Sequence, residues 1–242
     1  MTATSAPAST ATAPAAPTPQ LDPARVAHAL PLTLVLGSTS RARRALLASL
    51  IPPTHKDRIR IEFTAPPDSL DERAVAADHR AAHRAHDLTL AVAHAKADAL
   101  LDSASLAQTG TAILLTADQV TVCAGKVREK PESEQEARGY LAAYSAGEPA
   151  TTVTAVVATH LPTKKRVAGI DVATQHWRGP FLASVVEEVI AKGDVMHCCG
   201  GFMIDEPLLM SYLGQRDGDG DSIMGMPLAL TKSLIEQLLD FD

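Results

Sequence analysis

One stretch constrains the fold more than any other. "LTLVL" at 32–36 is a continuous apolar run that ends in Gly-Ser-Thr-Ser and passes into "RARRALLASL", where Leu46, Leu47 and Leu50 fall at helical spacing. An apolar run without alternation reads as a strand buried on both faces, and the spacing after it reads as a helix. Strand, tight turn and helix in succession point to an α/β architecture. Ser40 is placed to cap the helix and "IPP" (51–53) to end it.

The rest of the chain extends this pattern. "IRIEF" (59–63) alternates as a second strand, "APPDSLDER" is a loop, and "DLTLAVAHAKADALLD" (87–102) is a long helix. "TAILLTADQVTVCAGKVREKP" (111–131) reads as a strand, a break, a second strand and a turn into a short return strand. "ESEQEARGYLAAYSAG" is a helix stopping at Gly147, and the segment from Thr151 to Trp177 is a long hairpin. "FLASVVEEVIAKG" and "PLALTKSLIEQLL" supply two more helices. The expected fold is α/β, a mixed twisted sheet flanked by helices.

Composition narrows the partners. Over 242 residues the hydrophobic share is 46%, enough for a sizeable core. A net charge of −6 with 3% aromatic residues argues against polymeric nucleic acid as partner. No apolar run reaches membrane-spanning length. Three cysteines without a CxxC pair suit a reducing compartment, so the expected location is cytoplasmic. The first 23 residues are rich in Ala, Pro, Ser and Thr and lack the regions of a secretory signal. They read as a disordered tail, giving an expected division into tail (1–30) and folded domain (31–242).

Arg41, Arg43 and Arg44 occupy the first turn of the helix after "LVLGSTS". The helix dipole disfavours cations there unless an anion lies between them, and a strand–turn–helix junction is a natural phosphate site. The stretch carries neither GxxxxGK[ST] nor GxGxxG, and a solvated basic face capped by Ser40 is its other reading. Asp118, placed at the break in 111–131, and Glu72, in the loop before the long helix, are candidate carboxylates for a cation or an attacking water. Lys96 and Lys130 could join the arginines in gripping phosphate.

Other patterns carry less. "DGDGD" (217–221) departs from a calcium loop at Ser222 and Leu228 and reads as a turn. "HCC" (197–199) lacks zinc spacing, which leaves Cys198 and Cys199 to packing. His79, His83 and His86 lie in a polar, loop-like segment poorly suited to a metal.

Taken in order, "LVLGSTSRARRALLASL", "LDE" (70–72), "LAVAHAKADAL", "TADQVTV", "EKP" (129–131) and "IMGMPL" (223–228) resemble the Maf nucleotide pyrophosphatases. The resemblance runs from about 32 to 240 and is nearest to the 7-methyl-GTP branch through "GSTSRARRALL", Gln119 and "MHCCGGF". It implies an elongated, two-lobed Maf/ITPase-like fold with a central cleft, often homodimeric. It also implies hydrolysis of a nucleoside triphosphate to monophosphate and pyrophosphate with Mg²⁺ or Mn²⁺, in nucleotide-pool sanitation. By position, Asp118 would be the catalytic proton acceptor and Glu72 its companion at the metal. Ser38, Ser40, Arg43, Arg44, Lys96 and Lys130 would hold the triphosphate, and Ala42, Gln119 and Asp205 would tune base choice. Arg41 stands where the family has Pro, Ala42 where the branch has Trp, Met203 where it has Lys, and Glu129 where G-K-P has Gly. These departures leave dTTP, UTP or CTP open as substrates, and a non-catalytic nucleotide-binding regulator of cell division is the reading from a different class.

Overall fold

The computed structural model of the chain describes residues 17–102 and 111–240. Its α-helices and strands are α1 (Pro23–Val26), β1 (Leu32–Gly37), α2 (Arg41–Ser49), β2 (Ile59–Thr64), α3 (Ala77–Ala81), α4 (Ala85–Leu101), β3 (Thr111–Cys123), β4 (Lys126–Arg128), α5 (Glu134–Ser145), β5 (Ala150–His160), β6 (Arg166–Trp177), α6 (Ala183–Lys192), β7 (Leu213–Asp217), α7 (Gly220–Ile223) and α8 (Leu228–Leu239). The expected mixed α/β architecture is what forms.

A single sheet of seven strands runs in the order β2-β1-β3-β5-β6-β7, with β4 attached to β3. β1 lies parallel to both β2 and β3, while β3, β5, β6 and β7 continue antiparallel. The unbroken "LTLVL" is explained by this position: Leu32, Leu34, Val35 and Leu36 are all buried, with Val35 facing one core and the other three the opposite one. α4 covers one face through Ala93, Ala97 and Leu100. α2 and α8 cover the other through Leu47, Leu50, Leu234 and Leu238.

A separate core forms the second lobe. Tyr144 of α5 stacks on Trp177 at a centroid distance of 5.2 Å, and Phe202 meets both rings edge-on. Val189 and Ile190 of α6 complete it. The second lobe thus has an apolar cluster of its own, separate from the two that flank β1, and all pack on the one sheet.

Two expectations change. Packing extends the folded body N-terminally of residue 31: Leu21, Val26 and Ala29 are buried in the α2/α8 core, and Asp22 caps α1. The first part of the expected tail, 1–16, lies outside the described residues. The second change concerns β3, which runs without a break through Asp118. The discontinuity lies in its neighbours. On one side β3 pairs with β1 as far as Leu36↔Leu115 and resumes with β4 only at Thr121↔Arg128. Residues 116–120 are bordered by β5 alone, so this stretch presents an open edge in mid-strand.

Candidate active site

The open edge of β3 is where the site is built. Backbone groups on that edge need partners, since an unpaired buried carbonyl is costly. Arg43 supplies one: its Nη1 donates to Ala117 O at 2.8 Å, while Nε donates to Gly225 O at 2.8 Å. The Cys199 thiol supplies another, donating to Gln119 O at 2.9 Å. Thr121 Oγ1 donates back to Cys199 O at 3.1 Å. The gap therefore draws α2, the 198–201 segment and the α7–α8 junction together around the middle of β3.

Between them lies a cavity of about 660 Å³, within the range of small-ligand pockets. One wall is Gly37–Arg43 at the N-terminus of α2, with Ser40 Oγ accepting from Arg43 N–H as the N-cap. Ser38 is buried, its Oγ accepting from Ser40 N–H at 3.2 Å. The opposite wall comes from the second lobe, with His197, Cys198, Met203 and Asp205. Glu72, Lys96, Gln119 and Lys130 line the space between the walls.

Alternation along β3 sorts its side chains by face. Thr116 and Asp118 point toward α4, where Thr116 Oγ1 donates to Ala93 O. Gln119 points to the other face and spends its amide nitrogen on Thr154 Oγ1 and Ser222 O, both at 2.8 Å. Lys96 stands on the apolar face of α4 between Ala93 and Ala97, and is buried. A buried ammonium requires pairing. Its Nζ lies 2.8 Å from Asp118 Oδ1 and 2.9 Å from Glu72 Oε2. Asp118 sits just behind this wall, its side chain 17% exposed, whereas Glu72 is 43% exposed.

The sequence candidates separate accordingly. Asp118, Glu72 and Lys96 form one charge cluster. Ser38, Ser40, Ala42, Arg43, Gln119, Lys130 and Asp205 all line the cavity. Arg44 does not: its guanidinium lies over the Phe63 ring of β2 at 4.8 Å and Nη2 donates to Ser38 O. Lys96, expected at phosphate, is committed to the two carboxylates. Lys130 has no ion-pair partner among the described residues and remains available at the cavity.

Cys198 and Cys199, assigned from sequence to packing, line the cavity as well. Burial pushes the Cys198 thiol up to about 11. Burial, and then the charge of Asp118, push Cys199 up to about 12. Both are neutral thiols at ordinary pH, consistent with Cys199 acting as a donor. The segment expected as a loop is largely helical, with His79 in α3 accepting from Arg84 Nε and His86 in the first turn of α4, while His83 Nδ1 accepts from Val127 N–H. Sequence reading set aside His197, the first residue of "HCC", for want of metal spacing, and missed Asp194 and Arg80.

Glu72, on the cavity lining, and Asp118, just behind it, are hard oxygen donors that share Lys96 Nζ, at 2.9 Å and 2.8 Å. A cation held by one or two carboxylates and completed by phosphate oxygens suits that donor set. Among the described residues no group of three His, Cys, Asp or Glu side chains is arranged to hold a metal without such help.

Comparison with known proteins identifies the family. A family profile described as Maf-like protein matches residues 33–238. The chain belongs to the Maf family. Among similar proteins, a 7-methyl-GTP pyrophosphatase of Dictyostelium discoideum is 37% identical over 209 residues, covering 85% of this chain and 96% of the relative. A 7-methyl-GTP pyrophosphatase of Alkalilimnicola ehrlichii is 27% identical, covering 81% and 87%. A dTTP/UTP pyrophosphatase of Moorella thermoacetica is 30% identical, covering 84% and 93%. The Maf match spans both walls of the cavity. No helix among the described residues is long and apolar enough to cross a membrane.

Proposed function

We propose that the chain is a nucleoside triphosphate pyrophosphatase that cleaves between the α and β phosphates, with a 7-methyl-GTP-like nucleotide as preferred substrate. The observation that carries the reading is the cavity's composition. A capped helix N-terminus with Ser38, Ser40, Arg41 and Arg43 lines the cavity together with Lys130 and Glu72, and Asp118 stands just behind its wall. Backbone amides and the dipole at a helix start favour phosphate, and cations beyond them add to that field.

In this reading the triphosphate lies along the α2 start toward Lys130, and the base toward Met203 and Asp205. Asp118 accepts the proton of a water that attacks the α-phosphorus; the bond to the bridging oxygen breaks and pyrophosphate leaves with the electron pair. Lys96 compensates the charge of Asp118 and Glu72 so that both carboxylates stay close. Ser38 and the helix amides hold the phosphate oxygens in place while charge shifts to the leaving group. Asp118 and Glu72 would hold the divalent cation, Mg²⁺ or Mn²⁺, which when bound neutralises phosphate charge.

The preference for a cationic base rests on the second-lobe wall. Asp194 and Asp205 both line the cavity there and act electrostatically on the Cys198 thiol, as does Lys130 with the opposite sign. Acidic side chains at that end favour a positively charged ring over a neutral one. Similarity to a relative named dTTP/UTP pyrophosphatase keeps pyrimidine nucleotides as the second reading. A cytoplasmic location and a homodimer belong to the same proposal.

The test is pyrophosphate release with Mg²⁺ or Mn²⁺ from 7-methyl-GTP, GTP, dTTP, UTP and CTP, with Asp118→Asn as control. Fastest release from 7-methyl-GTP, lost in the control, is the expected result. A pyrimidine preference would overturn the base assignment, and no release from any nucleotide would overturn the enzyme.

A further inference from the structure

Arg80 lies outside the cavity, yet it has more assigned hydrogen bonds than any side chain lining it. Its Nε donates to Glu129 Oε2 at 2.6 Å and its Nη2 to Glu129 Oε1 at 3.2 Å, a two-point pairing. Nη1 donates to Arg73 O at 2.6 Å and Val75 O at 3.1 Å, and Nη2 to Glu72 O at 3.2 Å. A guanidinium has five N–H donors, and here each has an acceptor. The side chain is 22% exposed, so these bonds are largely shielded from water.

The acceptors matter more than their number. Residues 72–75 form the loop that carries the Glu72 carboxylate to Lys96. This loop has no strand or helix to fix it; Asp71 Oδ1 accepting from Arg73 N–H holds one end, and Arg80 gathers three successive parts of its backbone. Glu129 precedes Lys130, the cavity-lining lysine, and its carbonyl accepts from Gly200 N–H at 3.0 Å. Arg80 therefore ties the Glu72 loop, the Lys130 segment and, through Glu129, the second-lobe wall into one unit. Lysine could not replace it, because an ammonium is a single point charge without the planar fork.

We propose that Arg80 is a positioning residue for the hydrolysis, fixing Glu72 and Lys130 relative to each other across the cavity. The inference rests on the roles given to Glu72 and Lys130 in the proposed function. Its action is through Glu72: the loop sets where that carboxylate stands, and a displacement of about 1 Å in a reacting constellation can cost about a hundredfold in rate.

A double-mutant cycle tests this, reading kcat for pyrophosphate release together with thermal melting. Arg80→Lys is expected to lower kcat about tenfold in the otherwise unchanged enzyme, and less than about twofold when Glu72→Gln is already present. The melting temperature is expected to fall equally in both backgrounds. An equal loss of kcat in both backgrounds would make Arg80 a merely structural residue and overturn the proposal, as would unchanged kcat in Arg80→Lys. Full kcat in Glu72→Gln alone is a separate failure: it would remove the role given to Glu72, and the Arg80 claim with it.

Discussion

Lys96 Nζ stands 2.8 Å from Asp118 Oδ1 and 2.9 Å from Glu72 Oε2, joining a mid-strand carboxylate to one carried by a loop. The lysine is buried among alanines of α4, so its charge would be costly without these two partners. The carboxylates in turn would repel each other without it. This triad is the electrostatic centre of the site.

Lys96→Met should therefore damage both stability and turnover. A fully buried ion pair loses about 3–5 kcal/mol when one partner is removed. Glu72 is 43% exposed, which reduces this to about 2 kcal/mol through solvent screening. The same variant should lose about a hundredfold or more in kcat, because the carboxylate pair loses its cation. Chemical denaturation and steady-state kinetics check the two effects separately.

Arg43→Lys should act chiefly on the fold of the site. The guanidinium satisfies Ala117 O and Gly225 O together, and a lysine can reach only one acceptor as well. Leaving one buried carbonyl unpaired costs about 1–3 kcal/mol, a drop of several degrees in Tm for a chain of this size. KM should rise as well, since Arg43 lines the cavity. A variant with unchanged Tm would show that the carbonyls find other partners.

Much of this arrangement was legible from sequence, and what was not has a physical cause. The strands and helices followed their periods because tertiary packing agreed with them: α2, α4 and α8 bury the faces their apolar spacing marks. Asp118 was expected at a strand break, whereas the break belongs to β1 and β4, which stop on either side of it. Pairing partners of a strand cannot be read from the strand itself. Arg43 and Arg44 are neighbours in one helical turn and look equivalent in sequence. One meets orphan carbonyls and the other the Phe63 ring, a difference set by segments far along the chain. Arg80 left no local signal at all, because its partner Glu129 is 49 residues away.

The cavity thiols should be unreactive near neutrality. The Cys198 thiol is pushed up to about 11 by burial, so thiolate is scarce at pH 7.5. Alkylation by iodoacetamide is expected to be slow there and to accelerate as pH approaches 11, with nucleotide protecting. For stability the sign follows from the raised folded-state values: the neutral thiols favour the fold fully below pH 9, and this contribution is lost as pH rises from 9 through about 11 and 12. Fast alkylation at pH 7.5 would contradict the upward shift of the Cys198 thiol.

Base choice should respond to charge at the second-lobe wall. Asp205→Asn removes one of two acidic groups lining that end of the cavity. It is expected to reduce kcat/KM for 7-methyl-GTP about threefold to tenfold while leaving GTP within about twofold, since a partly exposed charge contributes about 1 kcal/mol. Competition assays with both nucleotides measure the ratio directly. Equal losses for both would remove the electrostatic account of base preference.

The central claim is that water attacks the α-phosphorus at the Asp118–Lys96–Glu72 cluster, and turnover in oxygen-18 water tests it most directly. The account predicts one labelled oxygen in the nucleoside monophosphate and none in the released pyrophosphate. Label in the pyrophosphate, or release of inorganic phosphate carrying the label, would contradict it.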